Sequence, residues 1–178
     1  MPGKMDAVAL LKADHRKVEE LFDQFEKAKS SSAKQALAEK ICTELSVHTA
    51  IEEEIFYPAC TGKVEDESVL QEAYVEHDGA KVIISELLSA SPDDEFYDAK
   101  VKVLSEQIKH HVKEEEMRSE GLFAQARDAG LDMEDLGDRM MVRKQELLAE
   151  IKASGIPTPE TRSFTGHELR QGEPLKAA

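Results

Sequence analysis

The sequence predicts an all-α protein, an up-and-down four-helix bundle with an additional C-terminal helix and an irregular tail. Aromatic residues make up only 5% of the chain and tryptophan is absent, whereas the residues that favour long helices are abundant. Apolar residues recur every three or four positions, which is the spacing of one helix face. A chain of 178 residues suffices for one domain with a buried core. We therefore predict a helical domain over residues 1–153 and an extended or disordered tail over residues 154–178.

Five segments with this spacing define the predicted helices. The strongest start signal is Ser91-Pro92-Asp93, because serine caps a helix, proline suits its first position and a carboxylate faces its positive end. Gly130 and Gly155 indicate helix ends. The predicted helices cover about residues 7–29, 30–62, 66–90, 91–130 and 132–155.

Charge and composition argue against several classes of function. The formal net charge of −14 makes nucleic acid and anionic membranes unfavourable partners, because both need a basic protein surface. No segment approaches the ~20 apolar residues of a membrane-spanning helix, and we recognise no secretory signal. Cys42 and Cys60 are interpreted as reduced packing residues, which predicts a cytoplasmic protein without a nucleophilic cysteine.

Four of the six histidines lie on the apolar stripes of four successive helices. These are His15, His48, His77 and His111, and Glu52 and Glu115 follow two of them one turn later. Burying an imidazole without a partner costs about 1–3 kcal/mol, and burying an unpaired carboxylate costs more. Six such groups would undermine a fold that is stable by only about 5–15 kcal/mol. The pattern therefore predicts that these side chains converge on bound metal.

Spacing makes this prediction more specific. His48 and Glu52, like His111 and Glu115, are four residues apart, so each pair projects one nitrogen and one carboxylate toward the same point. Two such pairs suit two metal ions with the glutamates between them. Imidazole and carboxylate ligands favour iron, with manganese or zinc as alternatives.

Two histidines are not assigned as ligands. His110 and Glu114 also have the four-residue spacing, but the residues that precede His110 on the same helix face are only half apolar. We therefore predict that His110 lies on the surface or supports a ligand. His167 falls in the tail and is predicted to be solvated.

The same residues resemble the hemerythrin-like family, also called HHE cation-binding domains, over residues 8–151. The matching segments are DH at 14–15, HTAIEEEIFYP at 48–58, EHD at 76–78 and HVKEEE at 111–116. The resemblance implies a non-haem di-iron centre with oxo or hydroxo bridges, held by the six side chains above. It also implies a protein that binds, senses or reacts with dioxygen, nitric oxide or peroxide.

One departure from this family bears on function. Oxygen-carrying hemerythrins have a fifth histidine one turn from the third-helix ligand, where this chain has Ala73 and Lys81 on either side of His77. An iron with one donor fewer is more open to peroxide, which disfavours simple oxygen transport and suggests a catalase-like activity. Tyr74 is predicted either to donate a hydrogen bond at the open position or to be an ordinary core tyrosine.

Other interpretations remain at this stage. Glu53 and Glu116 each follow a predicted ligand, and we expect them to be solvated, although they could instead orient histidines. The protein could alternatively be an iron-handling or metal-responsive sensing module that engages a partner protein. A structural zinc-binding bundle is a further possibility.

Overall fold

The computed structural model describes residues 6–166 and 168–173. All regular secondary structure in these residues is helical. In chain order the helices are α1 (Ala7–Lys27), α2 (Ser31–Ile51), a π-helical turn (Glu52–Phe56), α3 (Tyr57–Cys60), α4 (Glu67–Ser89), α5 (Tyr97–Glu116), α6 (Leu122–Asp128) and α7 (Met133–Ser154).

The predicted helical bundle is confirmed. Helix α1 packs against α2 and α5, and α4 also packs against α2 and α5, so these four helices surround a common core. Helix α7 lies outside these four helices and packs against α1, α2 and the π-helical turn. None of the helices in the described residues is long and apolar enough to cross a membrane.

Side-chain caps begin four of the helices. Asp6 accepts a hydrogen bond from the backbone N–H of Ala9, and Ser30 accepts one from Ala33. Asp66 and Asp132 cap α4 and α7 in the same way. These caps satisfy N–H groups that have no partner within the helix, and they lie close to the predicted starts.

The chain between α2 and α3 widens into a π-helical turn. The backbone N–H of Tyr57 donates to the carbonyl of Glu52, five residues earlier, and Pro58 has no N–H with which to continue the α-helical pattern. A π turn holds more residues than an α turn. Four residues in and directly after this turn are buried, namely Glu52, Glu53, Phe56 and Tyr57. The sequence predicts a helix here but not its widening.

The predicted start of the fourth helix is wrong. The backbone N–H of Ser91 donates to Asp94 Oδ2, and that of Asp93 donates to Ser91 Oγ. The expected capping groups therefore close a turn, and α5 begins only at Tyr97.

The fourth helix also ends earlier than residue 130. Met117 has extended backbone angles after α5, and α6 begins after Gly121. A Cβ atom at position 121 would lie 2.6 Å from the carbonyl oxygens of both Glu115 and Met117. Glycine at 121 therefore allows the chain to turn tightly against the end of α5. Gly130, with φ of 73°, therefore follows the short helix α6 and does not end one long fourth helix.

A polar layer divides the apolar core into two clusters. The first includes Leu10, Leu11, Ile51, Phe56, Leu70, Phe123 and Met140. The second includes Val18, Phe22, Leu45, Ile84, Leu104 and Ile108. His15 stands between Leu11 and Val18 in α1, and His48 stands between Leu45 and Ile51 in α2. Cys42 and Cys60 are buried free thiols, one in each cluster, as expected of packing residues.

Beyond α7, residues 155–163 lie along the bundle. Ile156 packs against the second cluster, and the backbone N–H groups of Arg162 and Ser163 donate to Asp78. The prediction for His167 falls outside the described residues.

We predict that Gly121→Ala destabilises the protein by about 1–3 kcal/mol, because the added methyl group must push the end of α5 away. The change is read as a lower midpoint of thermal unfolding. Gly79→Ala is the matched control, since its Cβ would meet its nearest neighbour at 3.9 Å and alanine favours a helix interior. Equal stability of the wild type and Gly121→Ala would contradict the tight turn.

Candidate metal centre

The structure brings all six predicted ligands together in the polar layer. Each is at most 4% exposed, and Glu52 is fully buried. Four helical segments supply them: α1, α2 with its π-helical turn, α4 and α5. The facing nitrogens lie close together, with 3.1 Å between Nε2 of His15 and Nε2 of His48 and 3.2 Å between Nε2 of His77 and Nε2 of His111.

The candidate ligand atoms form two groups that share Glu52. One group contains His15, His48, Glu52 and Glu115, the other contains Glu52, His77 and His111, and the atoms within each group lie within 4.8 Å of one another. Glu52 Oε2 is 3.2 Å from Nε2 of both His48 and His77. Glu115 Oε2 is 3.4 Å from Nε2 of both His15 and His111. Each carboxylate therefore stands between two histidines, one from each group.

Unpaired buried oxygens show that this cluster suits a cation. Glu52 Oε1 and Glu115 Oε2 are buried and have no hydrogen-bond partner among the described residues. An ionised carboxylate only accepts hydrogen bonds, and burying it without a partner is costly. A metal ion beside these oxygens would remove that cost, so the side chains fit two metal ions.

An outer ring of carboxylates faces the other nitrogen of each histidine. Nδ1 of His15 is 2.8 Å from Glu116, Nδ1 of His77 is 3.0 Å from Glu53, and Nδ1 of His111 is 2.7 Å from Glu76. Asp14 Oδ2 lies 3.7 Å from Nδ1 of His48, at ion-pair distance. Such contacts fix the orientation of each ring, so that Nε2 points to the centre.

This ring corrects the prediction that Glu53 and Glu116 are solvated. Glu53 is only 6% exposed, and both carboxylates bond to a candidate ligand on another helix. Asp14 and Glu76 were missed as supporting groups. The sequence does contain a pattern that could have indicated them: in each of the four helical segments, an acidic residue directly precedes or follows a candidate ligand.

A tyrosine that the sequence analysis did not assign lies inside the cluster. The hydroxyl of Tyr57 is 2.9 Å from Glu115 Oε1, 3.2 Å from Glu52 Oε2 and 3.1 Å from Nε2 of His77. Tyr74, for which the sequence left open a hydrogen bond at the open position or an ordinary core role, is half-buried and packs edge-on against Tyr57, with 5.1 Å between ring centroids. Tyr57 follows Glu52 by five residues, a spacing that faces the same side only in a π turn.

His110 lies on the surface, as predicted. Its side chain is 59% exposed and lies 3.2 Å from Glu114 and 3.4 Å from Glu76.

Comparisons with known proteins decide the family. The sequence model of the hemerythrin HHE cation binding domain matches residues 6–123, which is more than half of the chain. This chain belongs to the hemerythrin HHE cation-binding domain family. The family binds metal ions, which agrees with the two histidine and glutamate groups of this HHE domain.

The fold is also found in a solved structure. A hemerythrin HHE cation binding domain-containing protein of Mycobacterium kansasii is 23% identical, with a TM-score of 0.68 over 85% of this chain and 94% of its own. A curated relative, the DNA nickase of Nostoc sp., is 27% identical over 124 residues. The match covers 70% of this chain but only 34% of that relative, and the name describes that whole protein.

The pKa values show what the histidines do in the metal-free HHE domain. Burial opposes protonation of His15, but hydrogen bonds to Glu115 and Glu116 prevail and raise its pKa to about 9. Burial likewise opposes protonation of His111, yet Glu115 and Glu76 raise its pKa well above the usual range. Protons on these rings therefore balance the buried carboxylates when metal is absent.

We predict that the two ligand groups lose metal separately. His48→Ala should reduce bound metal from about two ions per chain to about one, because His48 belongs to one group only, whereas Glu52→Ala should weaken both sites. Elemental analysis after anaerobic loading with ferrous iron measures this. His110→Ala, a surface variant, is the control and should bind iron like the wild type. Full occupancy in Glu52→Ala would contradict the shared ligand.

We also predict that metal affinity rises with pH. His15 has a pKa of about 9 in the metal-free domain, so it is protonated at neutral pH and must release a proton to bind metal. Below that pKa, each displaced proton raises the apparent affinity about tenfold per pH unit. Competition with a chelator of known proton affinity measures the slope. A pH-independent affinity would contradict the prediction.

Proposed function

We propose that this HHE domain is a non-haem di-iron protein that binds and reacts with a small oxidant, namely dioxygen, nitric oxide or peroxide. Imidazole and carboxylate donors suit iron, although manganese and zinc accept the same donors. A pair of iron ions would supply electrons to a bound oxidant or accept them from it. The residues of the chain would hold the ions, limit what can enter and donate hydrogen bonds.

A small cavity beside the histidines carries this proposal. Its volume is about 10 Å³, roughly the space that one water molecule needs. Besides the four histidines, it is lined by four apolar residues and two polar ones, namely Val18, Leu45, Ile108, Val112, Asp14 and Thr49. A space this small admits only a ligand about as large as a water molecule and excludes organic substrates.

Tyr57 supplies a neutral hydrogen-bond donor at the centre. Burial and the neighbouring charges of Glu115 and Glu52 raise the pKa of its phenol well above the usual range. The phenol therefore keeps its proton at neutral pH and can donate to an oxygen atom that enters beside His77. A hydrogen bond of this kind would stabilise the negative charge that develops on oxygen when an O–O bond breaks.

The environment of His77 favours reaction over reversible carriage. One turn before it, Ala73 has no donor atom, and one turn after it, Lys81 Nζ bonds to both oxygens of Glu53. Helix α4 thus offers one candidate ligand to the buried centre, which would leave a coordination position of a bound metal ion for an oxidant. Peroxide disproportionation, in which two molecules of hydrogen peroxide yield one dioxygen and two waters, needs no external reductant.

Mixing the iron-loaded protein with each oxidant tests the proposal. We expect an absorbance change with at least one of dioxygen, nitric oxide and hydrogen peroxide, and dioxygen release from peroxide. Tyr57→Phe should slow the peroxide reaction by about tenfold or more, because a positioned hydrogen-bond donor is lost. Tyr74→Phe is the matched control and should react like the wild type. Iron-loaded protein that is inert to all three oxidants would refute the proposal, and colourless protein that retains zinc after growth in iron would indicate a structural role.

A further inference from the structure

The outer carboxylates receive support from a part of the chain beyond the residues that match the family. The match ends at residue 123, whereas α7 and the segment that follows it contact two of the four carboxylates. We name residues 133–163 the C-terminal segment. The two carboxylates that it contacts face one candidate ligand in each of the two metal groups, namely His48 and His77.

Lys144 of α7 supports the carboxylate that faces His48. Its Nζ donates a hydrogen bond to Asp14 Oδ1, while Asp14 Oδ2 lies 3.7 Å from Nδ1 of His48. The side chains of Lys144 and Asp14 are only 13% and 7% exposed. Because this pair is partly shielded from water, its charge acts on the centre more strongly than a surface pair would.

Arg162 supports the carboxylate that faces His77. Its Nε donates to Glu53 Oε2 at 2.5 Å, while Glu53 Oε1 lies 3.0 Å from Nδ1 of His77. Glu53 is thus held between the imidazole on one side and two cations, Lys81 and Arg162, on the other.

Several hydrogen bonds fix Arg162 in this place. The N–H groups of Arg162 and Ser163 and the Ser163 hydroxyl donate to Asp78, the residue after His77. Lys81 Nζ donates to the carbonyl oxygen of Glu160. The backbone around Arg162 is therefore attached to α4 beside the metal centre.

We propose that Lys144 and Arg162 are positioning residues of the metal centre, through which the C-terminal segment sets the orientation and the charge environment of His48 and His77. This inference rests on the proposed metal centre but not on the identity of the oxidant. Each residue acts through a carboxylate and touches no candidate ligand itself. Removing either cation leaves the carboxylate more negative, which stabilises the more highly charged ferric state.

Arg143 provides a matched control for simple docking of α7. It precedes Lys144 and its Nε donates at 2.7 Å to Glu54, the residue after Glu53. Arg143→Gln therefore also removes an ion pair between α7 and the π-helical turn. Glu54, however, is exposed and bonds to Arg143, whereas Glu53 faces a candidate ligand.

The first experiment uses the metal-free protein with ¹⁵N-labelled histidine. We expect Lys144→Gln to shift the Nδ1 resonance of His48 and Arg162→Gln to shift that of His77, each more than it shifts the Nδ1 resonances of the other three candidate ligand histidines. Arg143→Gln should shift neither. Unchanged resonances in folded Lys144→Gln and Arg162→Gln, or equal shifts in Arg143→Gln, would overturn the inference whether or not the protein binds iron.

The second experiment measures the reduction potential of the iron-loaded protein. At the wild-type midpoint, Lys144→Gln and Arg162→Gln should each lower the ratio of ferrous to ferric iron at least threefold, which corresponds to about 30 mV for one electron. Arg162→Lys, which keeps the charge, should restore most of the ratio, and Arg143→Gln should match the wild type. A wild type that takes up no iron would refute the di-iron proposal, and the experiment on the metal-free protein would still decide the inference. If Lys144→Gln and Arg162→Gln both keep the wild-type ratio of ferrous to ferric iron, the inference is overturned.

Discussion

The whole structure depends on the need to neutralise a layer of buried carboxylates. Glu52 and Glu115 lie between two apolar clusters with oxygens that no described donor satisfies, and Asp14 and Glu53 are also buried. Such charges persist in a low-dielectric interior only beside a compensating positive charge. In the metal-free protein, protonated histidines serve that purpose, as the raised pKa of His15 indicates. Metal ions at the same place would make the layer a binding centre.

The outer ring of carboxylates links the histidines of neighbouring helices. Asp14 on α1 faces His48 on α2, Glu53 on the π-helical turn bonds to His77 on α4, and Glu76 on α4 bonds to His111 on α5. Glu116 on α5 closes the ring by bonding to His15 on α1. Shifting any one helix along its axis by a turn would break its contacts to both neighbours. The ring therefore specifies the register of the bundle as well as the orientation of the candidate ligands.

Periodicity was sufficient to find the ligand cluster but not its surroundings. His15, His48, His77 and His111 could be predicted because a polar residue on an apolar helix stripe is conspicuous in sequence. Glu53 and Glu116 could not be distinguished from solvated helix charges, because their partners lie on other helices. Tyr57 was missed because an α-helical spacing does not align it with Glu52, and the π-helical turn that does so has no simple sequence signal. The break after α5 requires the close contact at Gly121, which becomes evident only when the backbone is folded.

Anomalous diffraction from crystals of the iron-loaded protein, recorded on both sides of the iron absorption edge, tests the central claim most directly. The account predicts two iron peaks in the polar layer between the apolar clusters, with Glu52 and Glu115 between them. A centre without iron peaks would contradict it, as would peaks confined to the exposed group of Glu72, Glu76, His110 and Glu114.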